Sequence, residues 1–176
     1  MDLIRVLHPA QSPAQAPREW LVANGLGGYA CGTLSGPPIR RYHGWLIAAL
    51  PPPLGRTILV SRLEQTVHLA DGSNFDLDDA HLAEFRLEWG LPVWRFHRDG
   101  VEIERRLMME HGRNVSHLRW RVLAGTVSGM MLRPWMQPHP HGTPVDAAPA
   151  AGTAETTQCG LSVRCPGFPV VTLSAP

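Results

Sequence analysis

The chain has 176 residues with 16 basic and 15 acidic side chains, a formal charge of +1, and 44% hydrophobic against 18% charged residues. That length fits one domain with a buried core. The composition is too apolar for a disordered chain, and the near-zero charge argues against a general nucleic-acid or anionic-membrane binder. All 16 cations are arginine, which excludes a P-loop lysine, a Schiff-base lysine and a lysine general base.

In chain order, the opening MDLIRVLHPAQSP has no apolar stretch of the kind a secretory signal needs. The run Trp45 to Leu50, the longest apolar one, falls far short of the roughly 18 residues of a membrane span. A cytoplasmic protein is expected, without a membrane or nucleic-acid partner. Trp20 to Ala23 and Trp45 to Leu50 are continuous apolar runs, expected as strands covered on both faces. Arg56 to Val60 is rich in β-branched residues, and Leu63 to Leu69 alternates loosely. The segment LDDAHLAEF at 77–85 is the one candidate for a short helix, with Asp78 or Asp79 as its cap. Val93 to His97 sets Trp94 and Phe96 against Val93 and Arg95. Asp99-Gly100 then marks a hairpin turn, and Val101, Ile103 and Arg105 alternate with Glu102, Glu104 and Arg106. Ser116 to Leu123 has Leu118, Trp120 and Val122 on one face and Arg119 and Arg121 on the other, a half-buried antiparallel strand. Residues 143–158 are Pro, Ala, Thr and Gly with few large apolar side chains, expected as a flexible loop or linker. Met130 to Leu132 and Val170 to Leu173 are shorter strand candidates. With 17 glycines and 17 prolines punctuating such strands, the expectation is a single all-β domain over 1–176, an antiparallel β-sandwich.

The densest polar stretch is 18–46. Gly25, Gly27 and Ala30 match the spacing of a dinucleotide fingerprint. Gly32, Gly36, Pro37 and Pro38 break the helix that the motif must open, and no acid lies between Glu19 and Glu64. Asn24-Gly25 and Gly27-Gly28 read instead as turns. In Arg40-Arg41-Tyr42-His43, strand geometry would place Arg40 and Tyr42 on one side and Arg41 and His43 on the other. Adjacent guanidiniums need partners: structural carboxylates, another domain, or a sugar. His139-Pro140-His141 has a chelating spacing but no third or fourth ligand nearby, so it reads as solvated loop histidines. Cys31, Cys159 and Cys165 are too few for a disulfide framework and read as inert thiols in a reducing compartment. Glu102 and Glu104 read as a solvated edge. Among six tryptophans, Trp120 and most others are expected in the core. No catalytic set, cofactor site or metal site emerges.

Over about 45 residues the chain resembles the opening of the bacterial and archaeal type of glycogen debranching enzyme, the amylo-α-1,6-glucosidase family. The resemblance rests on Glu19-Trp20-Leu21, Asn24-Gly25-Leu26-Gly27-Gly28-Tyr29, Gly32-Thr33, Arg40-Arg41-Tyr42-His43-Gly44, Pro52-Pro53, Gly55-Arg56 and Leu63-Glu64, in matching order and spacing. LPVWRF at 91–96, MEHGRN at 109–114 and LRP at 132–134 follow more loosely. Ile39 and Cys31 stand where the family usually has Thr and Ser. WMQPHPHG replaces an Arg-Asp-x-x-His run, which leaves the part of His139 and His141 open.

The resemblance implies a β-supersandwich like the N-terminal domains of inverting glucosidases of the glucoamylase type. An (α/α)6 barrel would follow and carry the acid and base that hydrolyse α-1,6-linked glucose at glycogen branch points. On that reading the chain is a truncated N-terminal portion without catalytic residues or cofactor. It would pack on its own barrel, help shape the entrance for glycogen or branched α-glucan, and self-associate through a face bared by truncation. Asn24, Arg40, Arg41, Tyr42 and His43 are the candidate interface or sugar-proximal set. The alternatives are an autonomous carbohydrate-binding module and a small β enzyme complete in itself.

Overall fold

The computed structural model describes residues 4–7 (as backbone), 18–34, 36, 38–144, 151–158 and 160–175. In chain order its strands are β1 (Ile4–Leu7), β2 (Glu19–Ala23), β3 (Tyr29–Thr33), β4 (Gly44–Ala49), β5 (Arg56–Val60), β6 (Arg62–Leu69), β7 (Asn74–Asp76) and β8 (Leu82–Glu88). They continue as β9 (Leu91–Arg98), β10 (Val101–Met109), β11 (Ser116–Ala124), β12 (Val127–Trp135), β13 (His139–Pro140), β14 (Thr153–Thr157), β15 (Gly160–Arg164) and β16 (Val171–Ser174). One five-stranded sheet runs β1-β8-β9-β10-β11 and a second β13-β5-β4-β3-β2. Two three-stranded sheets run β12-β6-β7 and β14-β15-β16. Pairing is antiparallel throughout, so the expected antiparallel β-sandwich is what forms.

Tight turns set the register of the first sheet. Asp99 and Gly100 join β9 to β10 with φ of 47° and 81°. Paired positive φ values match the twist of the flanking strands. Trp89 and Gly90 join β8 to β9 in the same way, with φ of 54° and 82°.

The two large sheets meet at aromatic side chains. Alternation on β9 and β10 turns Trp94, Phe96, Ile103 and Leu107 inward, all at most 1% exposed. The second sheet answers with Trp20 and Trp45. The Trp20 and Trp94 rings meet edge to face at 5.2 Å, Trp20 and Trp45 lie 5.5 Å apart, and Phe85 stands 5.4 Å from Trp94. Each such pair contributes about 0.5–1.5 kcal/mol beyond the area it buries. Arg105 shares this inward face. Its guanidinium carbon lies 4.2 Å from the Trp94 ring centroid and 5.0 Å from those of Trp45 and Phe96. The side chain is buried, and its Nε has no hydrogen-bond partner. Burial pulls the guanidinium down to about 9, so it keeps its charge at neutral pH and the rings stabilise it through their faces.

An ionic ladder covers the opposite face of the first sheet. Arg86 on β8 bonds Glu84 at 2.7 Å, Glu88 at 2.6 Å and, across β9, Glu104 at 2.5 Å. Arg106 on β10 closes it with Glu104 at 2.7 Å and Glu88 at 2.5 Å. Val93 lies between Arg86 and Arg106 in register and is 1% exposed, so β9 is buried on both faces at that position. Burial alone would raise Glu88 and Glu104, but the hydrogen bonds from Arg86 and Arg106 outweigh it and hold both below the ordinary glutamate value.

Several expectations are corrected. Residues 77–85 form no helix. Asp78 instead caps a turn, accepting from Ala80 N–H at 3.1 Å, and the chain enters β8, which buries Phe85 at 2% exposure opposite Trp94. So short a helix nucleates poorly alone, and strand pairing buries more. Within 143–158, residues 153–157 are strand β14 paired with β15, while 145–150 and Cys159 lie outside the described residues. β2 is a sheet edge with one packed face: Trp20 and Val22 are buried, but Leu21 is 58% exposed. Trp120 is half-buried and donates to Gln65 Oε1 at 2.8 Å, and Trp89 is 78% exposed. Glu104 is no solvated edge, because the arginines leave it 6% exposed.

Two outcomes follow. Arg86→Gln strips Glu104 of its cross-sheet partner and should cost about 3 kcal/mol at neutral pH. The depressed glutamates contribute stability above the ordinary value of 4.5 and lose it as pH falls through their folded values. Urea midpoints should therefore drop below that pH, with a flatter profile in the variant. Arg105→Met replaces an unpaired buried charge by an apolar chain of similar length, and should raise the unfolding free energy by roughly 1–3 kcal/mol.

Candidate functional site

The segment 38–43 crosses the outer face of the second sheet. In register, Leu21 opposes Cys31, and Cys31 opposes Gly44. Glu19, two residues before Leu21, therefore shares the outward face with Cys31. The chain then leaves strand geometry. Residues 40–42 form a turn closed by His43 N–H to the Arg40 carbonyl at 3.1 Å. The alternating faces expected for Arg40 to His43 are thus corrected, because Pro38 cannot donate to a ladder.

This turn brings Arg40 Nε to 2.5 Å from Glu19 Oε1. The His43 ring lies over the sheet, its Nε2 3.6 Å from Glu19 Oε2, while its Nδ1 accepts from Ile39 N–H at 3.3 Å. Tyr42 packs edge-on against His43 at 5.4 Å between ring centroids, and its carbonyl accepts from the Tyr29 hydroxyl at 3.3 Å. One donor atom each of Glu19, Cys31 and His43 converges to within 4.8 Å. Burial pushes the Cys31 thiol up to about 11, so it rests protonated and is a poor nucleophile. Burial also lowers His43, outweighing the pull of Glu19. The hydrogen bond from Arg40 holds Glu19 below its usual range.

The predicted set divides. Arg40, Tyr42 and His43 gather around Glu19, and Arg41 projects outward, exposed. Asn24 belongs to a different junction. It is wholly buried, and its Oδ1 accepts from Leu26 N–H at 2.9 Å and Gly28 N–H at 3.0 Å. Its Nδ2 donates to the Arg113 carbonyl and to Asn114 Oδ1, both at 2.9 Å. Asn114 in turn bonds both the N–H and the carbonyl of Ala49 at 3.0 Å. Only glycine fits at 28, since a Cβ there would stand 2.7 Å from Asn24 Nδ2 and 2.9 Å from the Ile47 carbonyl. Asn24 thus ties the turn after β2 to the loop after β10 and to β4.

Elsewhere, a concavity of about 430 Å³ is lined by Trp45, Gln65, Arg105 and several acids. Each of three of those acids has a local partner. Glu64 pairs with Arg62 at 3.0 Å and Arg133 at 3.4 Å, Asp76 accepts from the Thr66 hydroxyl at 2.6 Å, and Asp78 meets His81 at 2.9 Å. His139 Nδ1 is engaged with the Gln137 carbonyl at 2.7 Å.

Sequence reasoning missed Glu19 and Cys31 as partners of His43. The available signal was period-two spacing on the two strands preceding the Arg-Arg-Tyr-His turn. Residues 18–174 match the family described as Glycogen debranching enzyme N terminal. No curated protein and no solved structure matches the chain significantly.

Asn24→Ala should strand the N–H groups of Leu26 and Gly28 and cost about 2–4 kcal/mol in urea unfolding. Asn24→Asp keeps the oxygen that accepts from both N–H groups but turns a second acceptor oxygen toward the Arg113 carbonyl and Asn114 Oδ1, so a comparable loss is expected.

Proposed function

The chain belongs to the glycogen debranching enzyme N-terminal family, and from that membership we propose that it is a non-catalytic β domain that packs against a catalytic helical barrel and shapes the entrance for branched α-glucan. The barrel would supply the acid and base that cleave α-1,6-linked glucose. The observation that carries the non-catalytic reading is the state of the carboxylates. Glycoside hydrolysis needs one carboxyl as acid and an opposed one as base or nucleophile. Here Glu84, Glu88 and Glu104 are locked in the ionic ladder, Glu19 is held by Arg40, and Glu64 sits between Arg62 and Arg133.

The turn at 38–43 is the face we assign to the barrel or to the sugar. Ile39 is 49% exposed beside exposed Arg40 and Arg41. Anchoring of Arg40 by Glu19 pre-organises that face, which lowers the entropy cost of docking.

A second reading, an autonomous carbohydrate-binding module, draws on Trp89. The residue is 78% exposed at a hairpin tip, and a presented aromatic ring can stack on a sugar.

The purified chain should release no glucose from an α-1,6-branched limit dextrin and should not be retained on glycogen. Glucose release that disappears in Glu64→Gln would overturn the non-catalytic reading. Retention on glycogen that disappears in Trp89→Ala would replace the docking domain by the binding module.

A further inference from the structure

Glu19, Cys31 and His43 come from β2, β3 and the residue before β4, and their donor atoms face one point. We propose that this point is a binding site for a zinc-class divalent metal, held by Glu19 Oε2, Cys31 Sγ and His43 Nε2, with a fourth position open toward solvent. His43 is the first reason. Its side chain is 1% exposed, yet Nε2 has no hydrogen-bond partner and points into the cluster. A buried polar atom without a partner is costly and calls for a ligand.

Geometry is the second reason. A tetrahedral metal with bonds of about 2.0–2.3 Å sets its ligand atoms roughly 3.3–3.6 Å apart. Nε2 and Oε2 already stand 3.6 Å apart. The widest separation is bounded by 4.8 Å, which side-chain rotation of about an ångström closes. Donor chemistry is the third reason. Thiolate, imidazole and carboxylate together suit zinc, whereas magnesium and calcium take oxygen shells.

A nucleophilic relay is the competing use of these side chains. It needs the thiol and the acid on opposite ring nitrogens. Here Glu19 faces Nε2, and Nδ1 takes the Ile39 N–H. With Nδ1 taken by the Ile39 N–H, no ring nitrogen is left for the thiol opposite the acid.

Two neighbours are compatible. Arg40 engages Oε1 of Glu19 and leaves Oε2 free. Coordination through Nε2 moves the ring proton to Nδ1 and gives up the 3.3 Å bond from Ile39 N–H. Ile39 is exposed, so its amide passes to water, a small loss beside a metal–thiolate bond. When the sulfur–metal bond forms, Cys31 yields one proton to solvent and no electron is transferred.

The test uses the full chain, stripped with chelator and titrated with cobalt(II) and then zinc(II). One equivalent of cobalt should produce a thiolate-to-metal charge-transfer band and tetrahedral d–d bands, and zinc should displace both. Cys31→Ser should abolish the charge-transfer band and weaken zinc binding by about 100-fold or more, and Glu19→Gln should weaken it by about 10-fold. His139→Gln should change neither. Absence of the charge-transfer band in the unaltered chain would overturn the proposal whatever the variants do. So would a band that survives in Cys31→Ser, or zinc affinity that depends on His139.

Discussion

The indole of Trp94 is where the two large sheets touch, and the rest of the architecture is arranged around it. Trp20 approaches it edge-on at 5.2 Å, Trp45 lies 6.3 Å away, and Phe85 packs at 5.4 Å. Trp20 fits because position 32 is glycine: a Cβ there would lie 3.0 Å from the indole. Trp20 Nε1 also donates to the Thr33 carbonyl at 3.0 Å, which fixes the ring's tilt. Interiors packed at crystal-like density tolerate few alternatives at such a contact. The buried guanidinium of Arg105 is accommodated there because three ring faces surround it.

β9 shows how far a strand can depart from simple inside-outside patterning. Its inward residues reach the aromatic seam. Its outward Val93 is sealed by arginines and glutamates from the strands on either side. The ladder is partly buried, so solvent screens it less than an exposed pair. The Arg86–Glu104 and Arg106–Glu88 pairs, which span β9, form only when β8, β9 and β10 are all in register. The ladder therefore favours one alignment of three strands over slipped ones.

Much of this was legible in the sequence because strand alternation and turn chemistry are local. Asp99-Gly100 announced its hairpin, and Val101, Ile103 and Arg105 fell on the inward face as their spacing required. Where the reading failed, the deciding contact was distant. Residues 77–85 looked helical until Phe85 found Trp94. Glu104 looked solvated until Arg86 reached it across a strand. The Arg-Arg-Tyr-His turn stood out through its density of polar groups, but its partners Glu19 and Cys31 depend on the pairing of β2 with β3. Asn24 was singled out at a position that matters. What it does is satisfy backbone groups between two stretches that carry the family resemblance, 24–28 and 109–114. That role needs the carbonyl of Arg113, which no spacing within 18–46 could reveal.

The clustered tryptophans also make the molecule its own optical reporter. Three indoles within 6.3 Å of one another couple their electronic transitions, with a rotational sense fixed by their mutual tilt. Circular dichroism of those coupled bands is then sensitive to the closure of the two sheets, independently of the strand signal from the backbone.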